Sequence, residues 1–165
     1  MRVLFLCRYY SPHIGGVEKH VAKISEILSK KHQITVITEQ YDPGLPSHEV
    51  INGIPVIRIP VSGIGESAKK WVIWQWFFHH LNLLFSTDII HIHDVFFWIL
   101  AFRAFLIHPK IFITFHGYEG SGPPGQKQIF WHKLAGFLTR GNICIGDFHK
   151  KWYKVNPTFV SYGAA

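Results

Sequence analysis

Histidine, carboxylate and paired glycine stand close together at four places in this chain. His13-Ile14-Gly15-Gly16-Val17-Glu18 puts two glycines before an apolar periodic stretch. Glycine lets a backbone approach a ligand closely, and free N–H groups at a helix start favour a phosphate. A tight turn needing positive φ would use the same pair without a ligand. His91-Ile92-His93-Asp94 sets two imidazoles at i and i+2, one face of a strand. That is how H-x-H metal hydrolases begin, and His116 and Asp147 are the further ligands such a site would need. It is equally the pattern of one packed imidazole and one facing a cleft, and with 12 histidines accidental pairs are common. His116-Gly117-Tyr118-Glu119 and Gly146-Asp147 complete the set.

Two further segments invite a function. Gly63-Ile64-Gly65-Glu66-Ser67-Ala68 comes near a dinucleotide fingerprint, but no acidic residue ends a strand about 20 residues on. Lys69-Lys70-Trp71 opens a run that also holds Trp74 and Trp76. A basic start with several Trp suits a helix lying in a membrane interface: Lys holds anionic lipid and the rings enter the headgroup zone. The alternative is a helix whose wide apolar face packs on a sheet. Phe96, Phe97, Trp98, Phe102 and Phe105 extend the aromatic character. Stacking of nucleic-acid bases is disfavoured, because the aromatics lie in long apolar runs and not on a strand platform.

These residues need elements to hold them. Residues 2–6, 34–38, 56–61, 88–93, 110–115, 142–145 and 158–161 read as strands, mostly continuous apolar runs. Val50-Ile51-Asn52-Gly53-Ile54 is a hairpin signal. Helical patterns fill 17–31, 66–85, 95–107, 128–139 and 147–153. Strands alternating with helices, and buried on both faces, predict a parallel α/β sheet sandwiched by helices. In such a sheet ligands bind beyond the carboxyl ends of the strands. The four places above all follow strands, so the topology converges them on one rim.

Composition sets the outer bounds. A chain of 165 residues suits one domain and buries about 68–70% of its unfolded surface. With 48% hydrophobic and 16% charged residues, disorder is excluded for most of the chain. Residues 1–94 carry 9 basic and 8 acidic side chains, whereas 95–165 carry 8 basic and only Glu119 and Asp147. A basic half suits an anionic partner, or simply a solvated basic face. Cys7 and Cys144 sit in apolar strands, which points to a reducing compartment and not a disulfide framework. The sequence shows no secretory signal pattern and no run long enough to span a membrane.

In this order, the motifs resemble the N-terminal domain of glycosyltransferase family 4, retaining enzymes of GT-B fold. The resemblance covers nearly the whole chain. It rests on Pro12-His13-Ile14-Gly15-Gly16-Val17-Glu18-Lys19-His20, Asp88-Ile89-Ile90-His91-Ile92-His93, Thr114-Phe115-His116-Gly117 and Tyr162-Gly163. The last looks like the start of a crossover into a second domain. The resemblance implies a Rossmann-like parallel sheet of about six or seven strands with helices on both faces, the acceptor-side half of the enzyme. It implies a nucleotide-sugar donor as substrate, with no metal and no cofactor. Gly15 and Gly16 would lie against the donor diphosphate, and His116 near the transferred sugar. His13, Glu18, His93, Asp94, Gly117, Tyr118, Glu119 and Asp147 would line the cleft and acceptor site.

The departures matter as much. The family's second domain supplies an Arg/Lys pair and an E-x7-E motif, and neither is here: after position 90 the only acidic residues are Asp94, Glu119 and Asp147. The 165 residues alone are therefore expected to be inactive, needing that domain or a partner subunit. Gly146-Asp147 replaces a serine that members often carry there. The expectation is an acceptor-binding domain working on a lipid-linked or cell-envelope saccharide. It is expected to be cytoplasmic and peripheral on an anionic membrane surface, touching it through Lys69, Lys70, Trp71, Trp74 and Trp76. A free-standing binding module and a metal-dependent hydrolase remain the alternatives.

Overall fold

The computed structural model describes residues 1–107, 109–117 and 123–162. Eight strands form one sheet: β1 (Arg2–Cys7), β2 (Gln33–Gln40), β3 (His48–Ile51), β4 (Ile54–Pro60), β5 (Ile89–His93), β6 (Lys110–Phe115), β7 (Gly141–Ile145) and β8 (Phe159–Ser161). Their order is β3-β4-β2-β1-β5-β6-β7-β8. All neighbours pair in parallel except β3 with β4. The sequence anticipates six or seven strands. The additional one is β3, the first arm of the Asn52-Gly53 hairpin. Both turn residues have positive φ, 49° and 80°, as a two-residue turn of the right twist requires.

Strand alternation sorts the core into two. Leu4 and Leu6 of β1 enter one cluster, with Ile90 and Ile92 of β5 and Ile111 and Ile113 of β6. Val3, Phe5 and Cys7 enter the other. Helix α1 (Gly16–Ser29) covers the second face through Val21, Ile24 and Leu28. Helices α2 (Glu66–His79), α3 (Leu81–Phe85), α4 (Phe97–Leu100) and α5 (Gln126–Leu138) cover the first, with a π-helical turn at His149–Tyr153. This is the Rossmann-like arrangement with helices on both faces.

Two helices are shorter than their apolar patterns predict. Residues 66–85 break between α2 and α3 at His80, whose φ and ψ are −124° and 32°. The His80 ring stacks on Trp76 at 4.0 Å and its Nδ1 lies 2.7 Å from the Trp76 carbonyl oxygen, the acceptor the next turn needs. Residues 95–107 are helical only over α4. The Arg103 guanidinium donates to the carbonyls of Leu138 and Leu106, tying this stretch as turns to the end of α5. Trp98 of α4 is fully buried. Among the described residues no helix is long and apolar enough to cross a membrane.

Candidate active site at the switch point of the sheet

From β1 the chain moves to β2 on one side, and β5 lies on the other side of β1. The gap beyond β1 and β5 is where an α/β sheet presents a ligand to its strand ends. Gly15 caps α1 in extended conformation, φ −158°, with no side chain to satisfy the first amides of the helix. Neither Gly15 nor Gly16 has positive φ, so a turn of that kind does not explain them. At Gly15 there is a close approach instead: a Cβ there would press on the end of the Glu18 side chain, which would have to shift. At Gly16 an added Cβ meets nothing within 4 Å, which leaves open space over the helix start. Glu18 is buried, and its Oε1 lies 2.8 Å from Nδ1 of His13. Tyr9 stacks on the His13 ring at 4.5 Å.

Four imidazoles gather beside this helix start. His91 and His93 stack at 4.5 Å on one face of β5. His91 Nε2 lies 2.8 Å from the Thr114 hydroxyl, and His93 Nδ1 lies 2.7 Å from His116 Nε2. His20, one turn into α1, places its ring 4.8 Å from that of His116. Burial, then repulsion from neighbouring imidazoles, lowers the His91 and His116 pKa values to about 4 and about 3. His93 is pushed well below its usual value by the same causes, and burial also lowers His20. Neutral imidazoles each keep one donor and one acceptor, so one ring of the His93–His116 pair donates and the other accepts. Such a cluster can accept or give a hydrogen bond at a sugar hydroxyl without placing net charge in the cleft.

Asp94 ends β5 in left-handed conformation, φ 61°, a region that Asp tolerates better than most residues. That bend turns its carboxylate onto the His116 backbone amide, which donates to Oδ1 at 3.1 Å. Asp147 stands on the same rim, after β7, but accepts from the Tyr162 hydroxyl at 2.8 Å instead of joining the imidazoles. Gly117 is exposed beside His116, while Tyr118 and Glu119 lie outside the described residues. Asp147 does not join His91, His93 and His116, and among the described residues no group of three or more His, Cys, Asp or Glu side chains could hold a metal ion.

The other face of the sheet ends in a different kind of opening. A cavity of about 380 Å³ lies among α2, α4 and α5, walled by Trp74, Phe96, Phe97, Leu100 and Trp131, with Asp94 at its edge. The residues expected at a membrane divide here. Lys70 is exposed and Trp71 is 70% exposed. Trp74 faces the cavity and donates its indole N–H to the Phe97 carbonyl at 2.7 Å. Trp76 is half-buried against the core and His80. The Lys69 ammonium is drawn inward, 3.0 Å from both Glu39 and Glu66.

His20 and this cavity were not singled out from the sequence. His20 stands inside the Pro12–His20 motif, and its spacing of four from Gly16 was the available signal for a shared helix face. Nothing in the sequence announces the cavity, because its walls come from three separate helices.

The sheet order and the switch point beyond β1 and β5 are those of a Rossmann-like α/β domain. Over 96% of this chain and 47% of the other, the fold superposes on sucrose-phosphate synthase from Thermosynechococcus elongatus with a TM-score of 0.73 at 13% identity. The sequence model of Glycosyltransferase Family 4 matches residues 14–154, and the chain belongs to that family. It is 28% identical to GDP-mannose:cellobiosyl-diphosphopolyprenol alpha-mannosyltransferase from Komagataeibacter xylinus, over 81% of this chain and 34% of that protein. It is 25% identical to the phosphatidylinositol N-acetylglucosaminyltransferase GPI3 subunit from Saccharomyces cerevisiae, over 56% of this chain and 21% of that one. The chain thus spans about a third or less of these curated relatives.

Proposed function

We propose that this chain is the acceptor-side domain of a retaining glycosyltransferase that moves a sugar from a nucleotide-sugar donor to a lipid-linked saccharide. The observation that carries the reading is the neutral His93–His116 pair, held by Asp94 beside the open helix start at Gly16. In this reading the bond from the anomeric carbon to the diphosphate breaks and a bond to an acceptor hydroxyl forms on the same face. The hydroxyl proton leaves with the diphosphate. The amides at the start of α1 meet charge developing on that diphosphate, where fixed donors contribute most. His116 positions the reacting hydroxyl or the transferred sugar. No metal or cofactor takes part. A further domain or partner subunit supplies the remaining donor contacts, so these residues alone bind acceptor without transferring.

The names of both relatives include a lipid-linked acceptor, a diphosphopolyprenol and a phosphatidylinositol, which supports that choice here. The test is transfer by the protein from its complete reading frame, with labelled nucleotide sugars and a polyprenyl-diphosphate saccharide. His116→Ala is expected to cut turnover about a hundredfold, the loss that misplacing a reacting group brings. Near-wild-type turnover would remove His116 from the mechanism.

A further inference from the structure

The apolar cavity has a neighbour. A second cavity, of about 250 Å³, is lined by Arg8, Glu39, Glu66, Ser67 and Lys69, and it shares Lys70 and Phe97 with the first. One opening is therefore walled by aromatic rings, the adjoining one by three cations, and the Lys70 ammonium stands 5.9 Å from the Phe97 ring between them. Hydrocarbon joined to phosphate is the chemistry that such a pair fits.

The cationic cavity already holds an anion of the chain's own. The Glu66 carboxylate bridges the Arg8 guanidinium and the Lys69 ammonium. Its side chain is 70% exposed, whereas Glu39, which faces both Arg8 and Lys69, is 3% exposed and fixed. Displacing Glu66 leaves Arg8, Lys69 and Lys70 facing one fixed carboxylate, a net positive recess for phosphate oxygens.

We infer that these two cavities form one site for a prenyl diphosphate: the isoprenoid chain enters among Trp74, Phe97 and Leu100, and the diphosphate replaces Glu66 at Arg8, Lys69 and Lys70. This rests on the lipid-linked acceptor reading above. Aromatic walls and a wide cavity favour a branched, unsaturated chain over a thin saturated one, because rings pack against the planar double bonds.

Calorimetric titration of the full 165-residue chain with farnesyl diphosphate, dodecyl diphosphate and inorganic pyrophosphate tests the site. Farnesyl diphosphate is expected to bind tightest. Lys70→Glu, at an exposed position, should weaken it about tenfold. Leu100→Trp, which fills the cavity, should weaken it at least as much, and Glu66→Gln should tighten it by removing the competing carboxylate. Pyrophosphate binding as tightly as farnesyl diphosphate would overturn the apolar half, and dodecyl diphosphate binding equally would overturn the isoprenoid occupant. Unchanged affinity in Lys70→Glu would overturn the site even if Leu100→Trp fails to fold. No isoprenoid binding, with nucleotide-sugar transfer by the complete protein intact, removes this site and leaves the transferase reading. Isoprenoid binding without transfer does the reverse.

Discussion

The two faces of the sheet end at the same rim with opposite chemistry. On the α1 face the strand ends carry His91, His93 and His116, half-buried to buried, polar and held neutral by burial. On the α2–α5 face they carry Ile113 and Phe115 and open into an aromatic cavity. One side can exchange hydrogen bonds and protons, and the other offers mainly apolar surface. Asp94 is the residue common to both, lining the cavity while bonding the His116 amide. The lesson is that strand alternation supplies a polar rim and an apolar recess without either group entering the other's surroundings.

The comparison can be broken first on the packing side. Trp98→Ala deletes a fully buried ring behind the cavity and should cost about 3–5 kcal/mol, read as the fall in unfolding free energy by urea titration. A smaller loss would mean that α4 is not anchored by this ring.

On the polar side, Gly16→Val in the complete protein should cut transfer about 10²–10³-fold, because its side chain keeps the diphosphate off the helix-start amides, an effect like losing an oxyanion donor. Thermal unfolding should stay near wild type, since the added side chain points into open space. Turnover near wild type would detach the glycine pair from catalysis.

Acid should act on both sides, through His91 and His116 on the polar face and through the buried His149 ring, its pKa lowered to about 4 by burial, on the other. The folded His91 and His116 values lie below the ordinary histidine value of 6.5, so the unfolded chain binds more protons between these limits. Their neutral contribution to stability is complete above about pH 6.5 and is lost as pH falls toward about 4 and 3. His91→Gln should flatten the fall of melting temperature between pH 6.5 and 4, whereas His79→Gln, at an exposed position of α2, should not. The smallest effect belongs to Trp71→Ala: at 70% exposure it should shift stability by no more than about 0.5 kcal/mol. It should nonetheless lower co-sedimentation with anionic vesicles, and no vesicle binding by either protein would end the peripheral-membrane reading.

Much of this was legible beforehand. Continuous apolar strands gave the layered sheet, Asn52-Gly53 gave the hairpin, and residues after strand ends gave the rim positions of His93, Asp94 and His116. What escaped depended on contacts between distant segments. The pairing of Lys69 with Glu39 spans 30 residues, and Trp74 turns inward because a carbonyl 23 residues away accepts its N–H. Likewise, no local pattern predicts that a stacked imidazole at His80 ends α2, since the propensity of that run favours continuing. Periodicity reports which residues are apolar, not which of two apolar directions a helix will face.

The eight-stranded sheet also acts as a partition between inheritable parts. Single substitutions along β5 or β6 change one face only, because side chains two apart never cross the sheet. Exchanging α2 and α3 for another pair would alter one wall of the apolar cavity and leave the imidazoles in place. In the proposed reading, acceptor tail and sugar chemistry could in that way be recombined separately on one scaffold.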